Sequence, residues 1–221
     1  MFEIFQNTAG EWWDEKGSYK VLHDLTPLRM EYISRFLDFS TNQKIMDFGC
    51  GGGLISLPLL RKGAEVFGID EVEESLVQAQ EKAYKEGLSF QSSKTLESFQ
   101  GVKFDNIVCL EVLEHVDKPQ ELLKELSSFL KPKGRIILST LNRTFLSRFL
   151  GIFVAEKILK WAPDGVHNWN HFLKPHEVGL MLKNCGFKVL DIQGYTFVPL
   201  KQKWDFCKSK QVNYFITGEL I

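Results

Sequence analysis

At 221 residues the chain has room for one domain with additions, since domains run to roughly 100–200 residues. Apolar residues at 44% and charged residues at 25% are ordinary for a globular protein that buries a full core. Lys plus Arg number 27 against 28 Asp plus Glu, so no global field recruits nucleic acid. Cys50, Cys109, Cys185 and Cys207 form no C-x-x-C pair, which argues against a zinc site. The start Met1-Phe2-Glu3-Ile4-Phe5 lacks the basic opening and long apolar core of a secretory signal. A cytoplasmic location with reduced thiols is the expectation.

Residues 1–40 read as an N-terminal helical arm. Trp12-Trp13-Asp14 and a Lys16-Gly17 turn interrupt it, and Thr26-Pro27 then opens a helix. Threonine caps well, and proline at the first helical position loses no needed donor. Leu28, Ile33, Phe36 and Leu37 follow with roughly helical spacing. For Trp12 and Trp13, packing of the arm on the core is favoured over contact with a substrate.

The stretch 44–70 carries the strongest signal. Lys44-Ile45-Met46-Asp47-Phe48 meets Gly49-Cys50-Gly51-Gly52-Gly53, a helical stretch follows, and Ala64-Glu65-Val66-Phe67-Gly68-Ile69 ends on Asp70. That is a β-loop-α-β unit whose glycine turn lets a ligand approach the backbone. Asp70 is placed to accept hydrogen bonds from a ribose diol, and Glu71 beside it disfavours a 2′-phosphate. A dinucleotide fingerprint needs G-x-G-x-x-G, and counting from Gly49 the sixth position fails at Leu54. Asp47 puts an anion where a pyrophosphate would be repelled; a ligand with a cationic amine suits it better. A nucleotide-binding dehydrogenase is thereby disfavoured.

Pro58 requires the following helix to start late, because an interior proline costs about 3 kcal/mol. A charged helix over 72–86 stopped by Gly87, a weak strand at 89–91 and a convincing strand at 105–110 come next. The last of these has the nearly unbroken apolar character of a strand buried on both faces. Then follow a helix at 118–130, a turn at Pro132-Lys133-Gly134, a strand at 135–140, a helix at 175–184 ended by Gly186, and strands at 187–193 and 213–218. Alternating strands and helices predict a doubly wound α/β domain. One domain over 1–221 is expected, with the arm at 1–40 and an insertion at 145–175.

D-x-G-C-G-G-G followed by an acid-tipped strand resembles the class I methyltransferases. Trp12-Trp13-Asp14, Gly17, Leu22-His23 and Pro27-Leu28-Arg29 narrow the resemblance. So do 109–116 (Cys-Leu-Glu-Val-Leu-Glu-His-Val), Ser139-Thr140-Leu141-Asn142-Arg143, Gly165-Val166-His167, Phe172, Pro175 and Val212-Asn213-Tyr214. Together they look like the ubiquinone biosynthesis O-methyltransferases over nearly the whole chain, with Thr26 and Leu110 as mild departures. The resemblance implies a Rossmann-like sheet, mostly parallel with an antiparallel last strand, plus N-terminal helices and an inserted helical lid. It implies S-adenosylmethionine as methyl donor, polyprenylated phenol or quinol acceptors at two steps of the pathway, and contact with other enzymes of that pathway. Carried over residue by residue, it puts the cofactor contacts on Arg29, Gly49, Asp70 and Leu110. The adenine contact is left open near Thr95-Leu96-Glu97.

Glu111, Glu114 and His115 lie just past the fourth strand, where open α/β sheets place ligands. Two roles stand open for them: general base toward the acceptor phenol, or ligands of Mg²⁺ that lowers the phenol pKa. The resemblance supports the metal; the bland alternative is that the two glutamates cap or solvate the next helix while His115 packs. Residues 145–161, apolar with Arg148, Lys157 and Lys160, are too short and charged to span a bilayer, which needs about 20 apolar residues. They read either as a lid or as a peripheral contact with the anionic inner face of the membrane. A methyltransferase for another small phenol or lipid, and a catalytically silent cofactor-binding module, are the competing functions.

Overall fold

The protein is seen as a computed structural model, which describes residues 8–40, 42–147 and 169–221. The chain divides into two compact units, Met1–Val108 and Cys109–Ile221.

In the first unit, β1 (Lys44–Phe48) pairs in parallel with β2 (Glu65–Ile69) and with β4 (Phe104–Leu110), and β2 pairs in parallel with β3 (Gln91–Ser93). The order is β3-β2-β1-β4, with β4 running on past the boundary between the units. Ile45, Met46, Val66, Phe67, Ile107 and Val108 are buried, as a parallel sheet requires on both faces. The helices are α1 (Lys20–Ile33), α2 (Ser56–Arg61) and α3 (Glu73–Lys85). The late start of α2 leaves Pro58 in its first turn, where the missing N–H costs nothing.

One expectation fails here. Thr26-Pro27 does not open the helix: α1 begins upstream at Lys20 and carries Pro27 inside. Thr26 turns its hydroxyl back onto the Leu22 carbonyl at 2.8 Å instead of capping forward. Pro27 leaves the His23 carbonyl without its intrahelical donor, and burial of Leu25, Leu28, Met30, Tyr32 and Ile33 holds the helix through that break.

In the second unit, β8 (Asn213–Leu220) is antiparallel to both β5 (Leu130–Leu141) and β6 (Phe187–Val198), and β7 (Lys203–Cys207) is antiparallel to β6. The order is β5-β8-β6-β7. Helices α4 (Pro119–Phe129) and α5 (Pro175–Asn184) complete it. The antiparallel last strand agrees with what the resemblance implies. The strand β7 and the extension of β6 to Val198 were not expected. β5 begins earlier than 135, running through the turn at Lys133, which has a φ of 60°. Of the insertion, Phe145–Ser147 is a helical turn and Trp169–His171 another; 148–168 lie outside the described residues.

Candidate active site

The glycine turn of the first unit is built around Asp70. Its carboxylate accepts the Gly51 N–H at 2.8 Å on one oxygen and the Val72 N–H at 2.9 Å on the other. Those bonds fold the turn back over the tip of β2, and the Gly49 and Cys50 N–H groups both reach the Ile69 carbonyl. Gly49 and Gly51 have φ values of 78° and 50°, a region that side chains rarely enter. Burial raises the Asp70 pKa, the two N–H bonds oppose it, and Glu71 adds to it.

Asp47, at the end of β1, is 3% exposed and accepts the Ser56 hydroxyl at 2.6 Å. Burial pushes its pKa up to about 6; Ser56 pulls it down, the Asp70 charge raises it, and the Arg29 guanidinium lowers it. Arg29 itself is buried on α1. A buried cation, a buried acid ready to ionise and a carboxylate at a strand tip form one electrostatic group. This donor set fits an amino-acid ligand joined to a ribose: arginine for a carboxylate, Asp47 for an ammonium, Asp70 for a diol.

The turn is not wholly open to a ligand. A Cβ on Gly51 or Gly52 would stand 2.4 and 2.3 Å from Trp12 atoms, so the indole lies directly on this backbone. Trp12 donates to Ser75 Oγ at 2.8 Å and stacks on Tyr19 with 3.8 Å between ring centroids. Ala9, Trp12, Tyr19, Leu54 and Val72 form one buried cluster. The packing role expected for Trp12 holds, and part of the glycine cluster exists to admit it. Trp13 packs edge-on against His23 and under Lys82. Near the open adenine position, Leu96 is buried while Glu97 is exposed.

The second unit begins at Cys109, and Leu110, buried, ends β4. Glu111 follows with a φ of 56°, which costs a non-glycine residue about 1–2 kcal/mol. Its N–H donates to the Ser139 carbonyl at 3.0 Å, and its Oε1 accepts both the Ser139 hydroxyl at 2.6 Å and the Tyr195 hydroxyl at 2.7 Å. Glu114, 3% exposed, accepts the Thr140 hydroxyl at 2.7 Å. Because Ser139 and Thr140 are successive residues of β5, their side chains leave opposite faces. The two glutamates are thus drawn to different sides of the strand.

The register extends each face. Ser139 opposes Phe215 and Thr140 opposes Tyr214 on β8. On the Glu114 side, burial and then the charges of Glu114, Glu177 and Glu111 raise the Tyr214 pKa, and its hydroxyl donates to the Leu173 carbonyl at 2.8 Å. His115 closes a short turn with its N–H on the Val112 carbonyl. Among the described residues no group of three His, Cys, Asp or Glu side chains stands together as a metal set. Glu111, Glu114 and His115 do not fit a shared Mg²⁺ in this arrangement. Tyr195 and Ser139 were not foreseen as site residues; nothing short of the β5-β8-β6 register brings Tyr195 to Glu111.

A family model described as a methyltransferase domain matches residues 8–192. A protein of Rickettsia felis named ubiquinone biosynthesis O-methyltransferase is 37% identical over 221 residues, covering 97% of this chain and 90% of its own length. One of the same name from Idiomarina loihiensis is 39% identical over 216 residues, covering 96% and 89%. Among solved structures, magnesium protoporphyrin IX methyltransferase from Synechocystis PCC 6803 with bound SAH superposes with a TM-score of 0.64. It is 22% identical and covers 90% of this chain and 83% of that one, a likeness of fold.

Proposed function

The chain belongs to the ubiquinone biosynthesis O-methyltransferase family, and on that premise we propose how its residues carry S-adenosylmethionine-dependent O-methylation. The acceptor is the phenolic oxygen of a polyprenylated ring, at both O-methylation steps of the pathway. What carries this reading is the match over 97% of the chain to relatives that bear this name.

Bound S-adenosylmethionine supplies an electrophilic methyl group on a sulfonium. Arg29 pairs with its carboxylate, Asp47 with its ammonium, and Asp70 with its ribose diol, while Leu110 gives apolar contact. Gly49 lets the backbone approach. Most of the acceleration is positioning, because a methyl transferred in line needs little covalent help. The acceptor must lose a proton with a pKa of about 10 in water. Glu111 is the base we assign to it, held by two hydroxyl donors at the end of β4. No step is routed through a metal.

The acceptor's tail gives the insertion a purpose. We assign 145–161 to peripheral contact with an anionic membrane surface. Phe145 is 82% exposed and Leu146 is exposed beside it, in support; Arg148, Phe149, Phe153, Lys157 and Lys160 lie outside the described residues. No described helix is long and apolar enough to cross a membrane. The enzyme assay is methyl transfer to demethylated quinols of graded tail length, followed by S-adenosylhomocysteine release. No turnover on any quinol, with cofactor bound, would refute the acceptor assignment. For the surface, co-sedimentation with anionic vesicles should exceed that with neutral ones and weaken with salt. Equal pelleting with both would refute it.

A further inference from the structure

Tyr195 touches the candidate base, and its placement is specific. Ser139 on β5 opposes Phe215 on β8, and Phe215 opposes Gln193 on β6. Two residues along β6, Tyr195 therefore emerges on the same face as Ser139. Its ring is 2% exposed and stacks on Phe215 at 4.4 Å and 28°. That fixes where the hydroxyl points, and it points at Glu111 Oε1, 2.7 Å away. Ser139 Oγ reaches the same oxygen at 2.6 Å, while the Ser139 carbonyl holds the Glu111 N–H.

The backbone of Glu111 stands in a strained left-handed conformation at the end of a strand. Strain of this kind persists where the surroundings over-determine it, and it clusters at functional sites. Here the surroundings are three hydrogen bonds from two strands. A glutamate that merely solvated the following turn would need none of them.

We infer that Tyr195, with Ser139, is a positioning residue for the methyl transfer: the two hydroxyls fix the plane of the Glu111 carboxylate against the acceptor oxygen. The inference rests on the assignment of Glu111 to the acceptor. Two donors on Oε1 set the direction in which Oε2 faces, and a fixed direction matters because roughly 1 Å of misplacement can cost about a hundredfold in rate. Tyr195 acts through Glu111 and takes no proton itself.

The test uses the full chain with a short-tailed demethylated quinol. Tyr195→Phe keeps the ring on Phe215 and removes only the hydroxyl. It should lower kcat by roughly ten- to a hundredfold, with the acceptor KM and the S-adenosylmethionine Kd within about twofold. Ser139→Ala should do the same more weakly, and it stands in if Tyr195→Phe does not fold. In a Glu111→Gln background neither change should lower kcat further. Unchanged kcat in the single variants overturns the inference. So does a loss of equal size with and without Glu111, which would mark a general packing effect. If Glu111→Gln alone keeps full turnover, the assignment of Glu111 fails, and the inference falls with it while methyl transfer as such stands.

Discussion

Ser56 donates its hydroxyl to Asp47 at 2.6 Å, the two side chains buried together across the glycine turn. The bond favours the ionised acid, yet burial outweighs it and leaves the pKa at about 6. A cationic ammonium needs Asp47 ionised, so binding below that pH first has to remove a proton. Affinity for S-adenosylmethionine should fall as pH drops through about 6, by up to about tenfold per unit. Asp47→Asn should bind weakly at every pH with that dependence gone. For the free protein the sign is opposite. The folded state holds this proton more tightly than the unfolded chain, whose Asp titrates near about 3.9, so Asp47 costs stability increasingly as pH rises from about 4 to about 6. Calorimetry between about pH 5 and about pH 8 checks the first statement; a flat Kd contradicts it.

Asp70 has a double duty that alters what its removal does. With Gly51 and Val72 both on its oxygens, Asp70→Ala would lose the ribose contact proposed for it and also two bonds that fold the turn. Cofactor affinity should fall more than about tenfold, and stability by about 1–3 kcal/mol, the range for leaving such groups unsatisfied. Thermal melts beside calorimetry separate the two. Weakened binding with unchanged stability would show that the carboxylate does not hold the turn.

Trp12 and Gly52 should behave as one unit. Gly52→Ala puts a methyl 2.3 Å from Trp12 Cγ and 2.5 Å from its Cβ, which no rotation of a chain end relieves. It should destabilise the protein by about 1–3 kcal/mol through overpacking. Trp12→Ala should cost about 3–5 kcal/mol. In the double variant the added methyl enters space that the indole has left, so the loss should be smaller than the sum of the two. Strict additivity in chemical denaturation would mean the indole does not rest on this turn.

How much of this was legible depended on how local the signal was. The Asp47 to Asp70 unit was readable because strand, glycine turn and acidic tip are consecutive, and Pro175 to Asn184 because proline opens the helix and Gly186 closes it. Thr26-Pro27 misled: the local preference for a cap was overridden by the buried face of α1. β7 was missed although Lys203-Trp204-Asp205-Phe206 alternates polar and aromatic, because the run is only five residues long; its lysine, on an edge strand, is a guard against pairing with other chains. Tyr195 was beyond sequence reading, because its partner is 84 positions away in the chain. The Glu111-Glu114-His115 run read as one cluster for the converse reason: nearness in sequence hid the fact that Ser139 and Thr140 draw the two acids to opposite faces.

That separation gives the last prediction. Glu111 meets two hydroxyls on the Ser139 face, and Glu114 is buried on Thr140 on the Tyr214 face. The two substitutions should therefore differ in kind. Glu111→Gln is nearly isosteric and removes the proposed base, so kcat should fall by roughly a hundredfold or more while the S-adenosylmethionine Kd holds. Glu114→Ala leaves Thr140 without its acceptor and opens space in the core. It should cost about 2–4 kcal/mol of stability, from the unmade hydrogen bond and the cavity together. At a temperature where that variant is folded, its kcat should lie within about threefold of the unaltered enzyme, since Glu114 is held by Thr140 and the proposed base Glu111 by Ser139, on opposite faces of β5. Turnover assays and thermal melts on the two variants decide it. A Glu114 variant that stays as stable as the parent but loses turnover would put both acids at the reacting oxygen, and the division between the faces would be wrong.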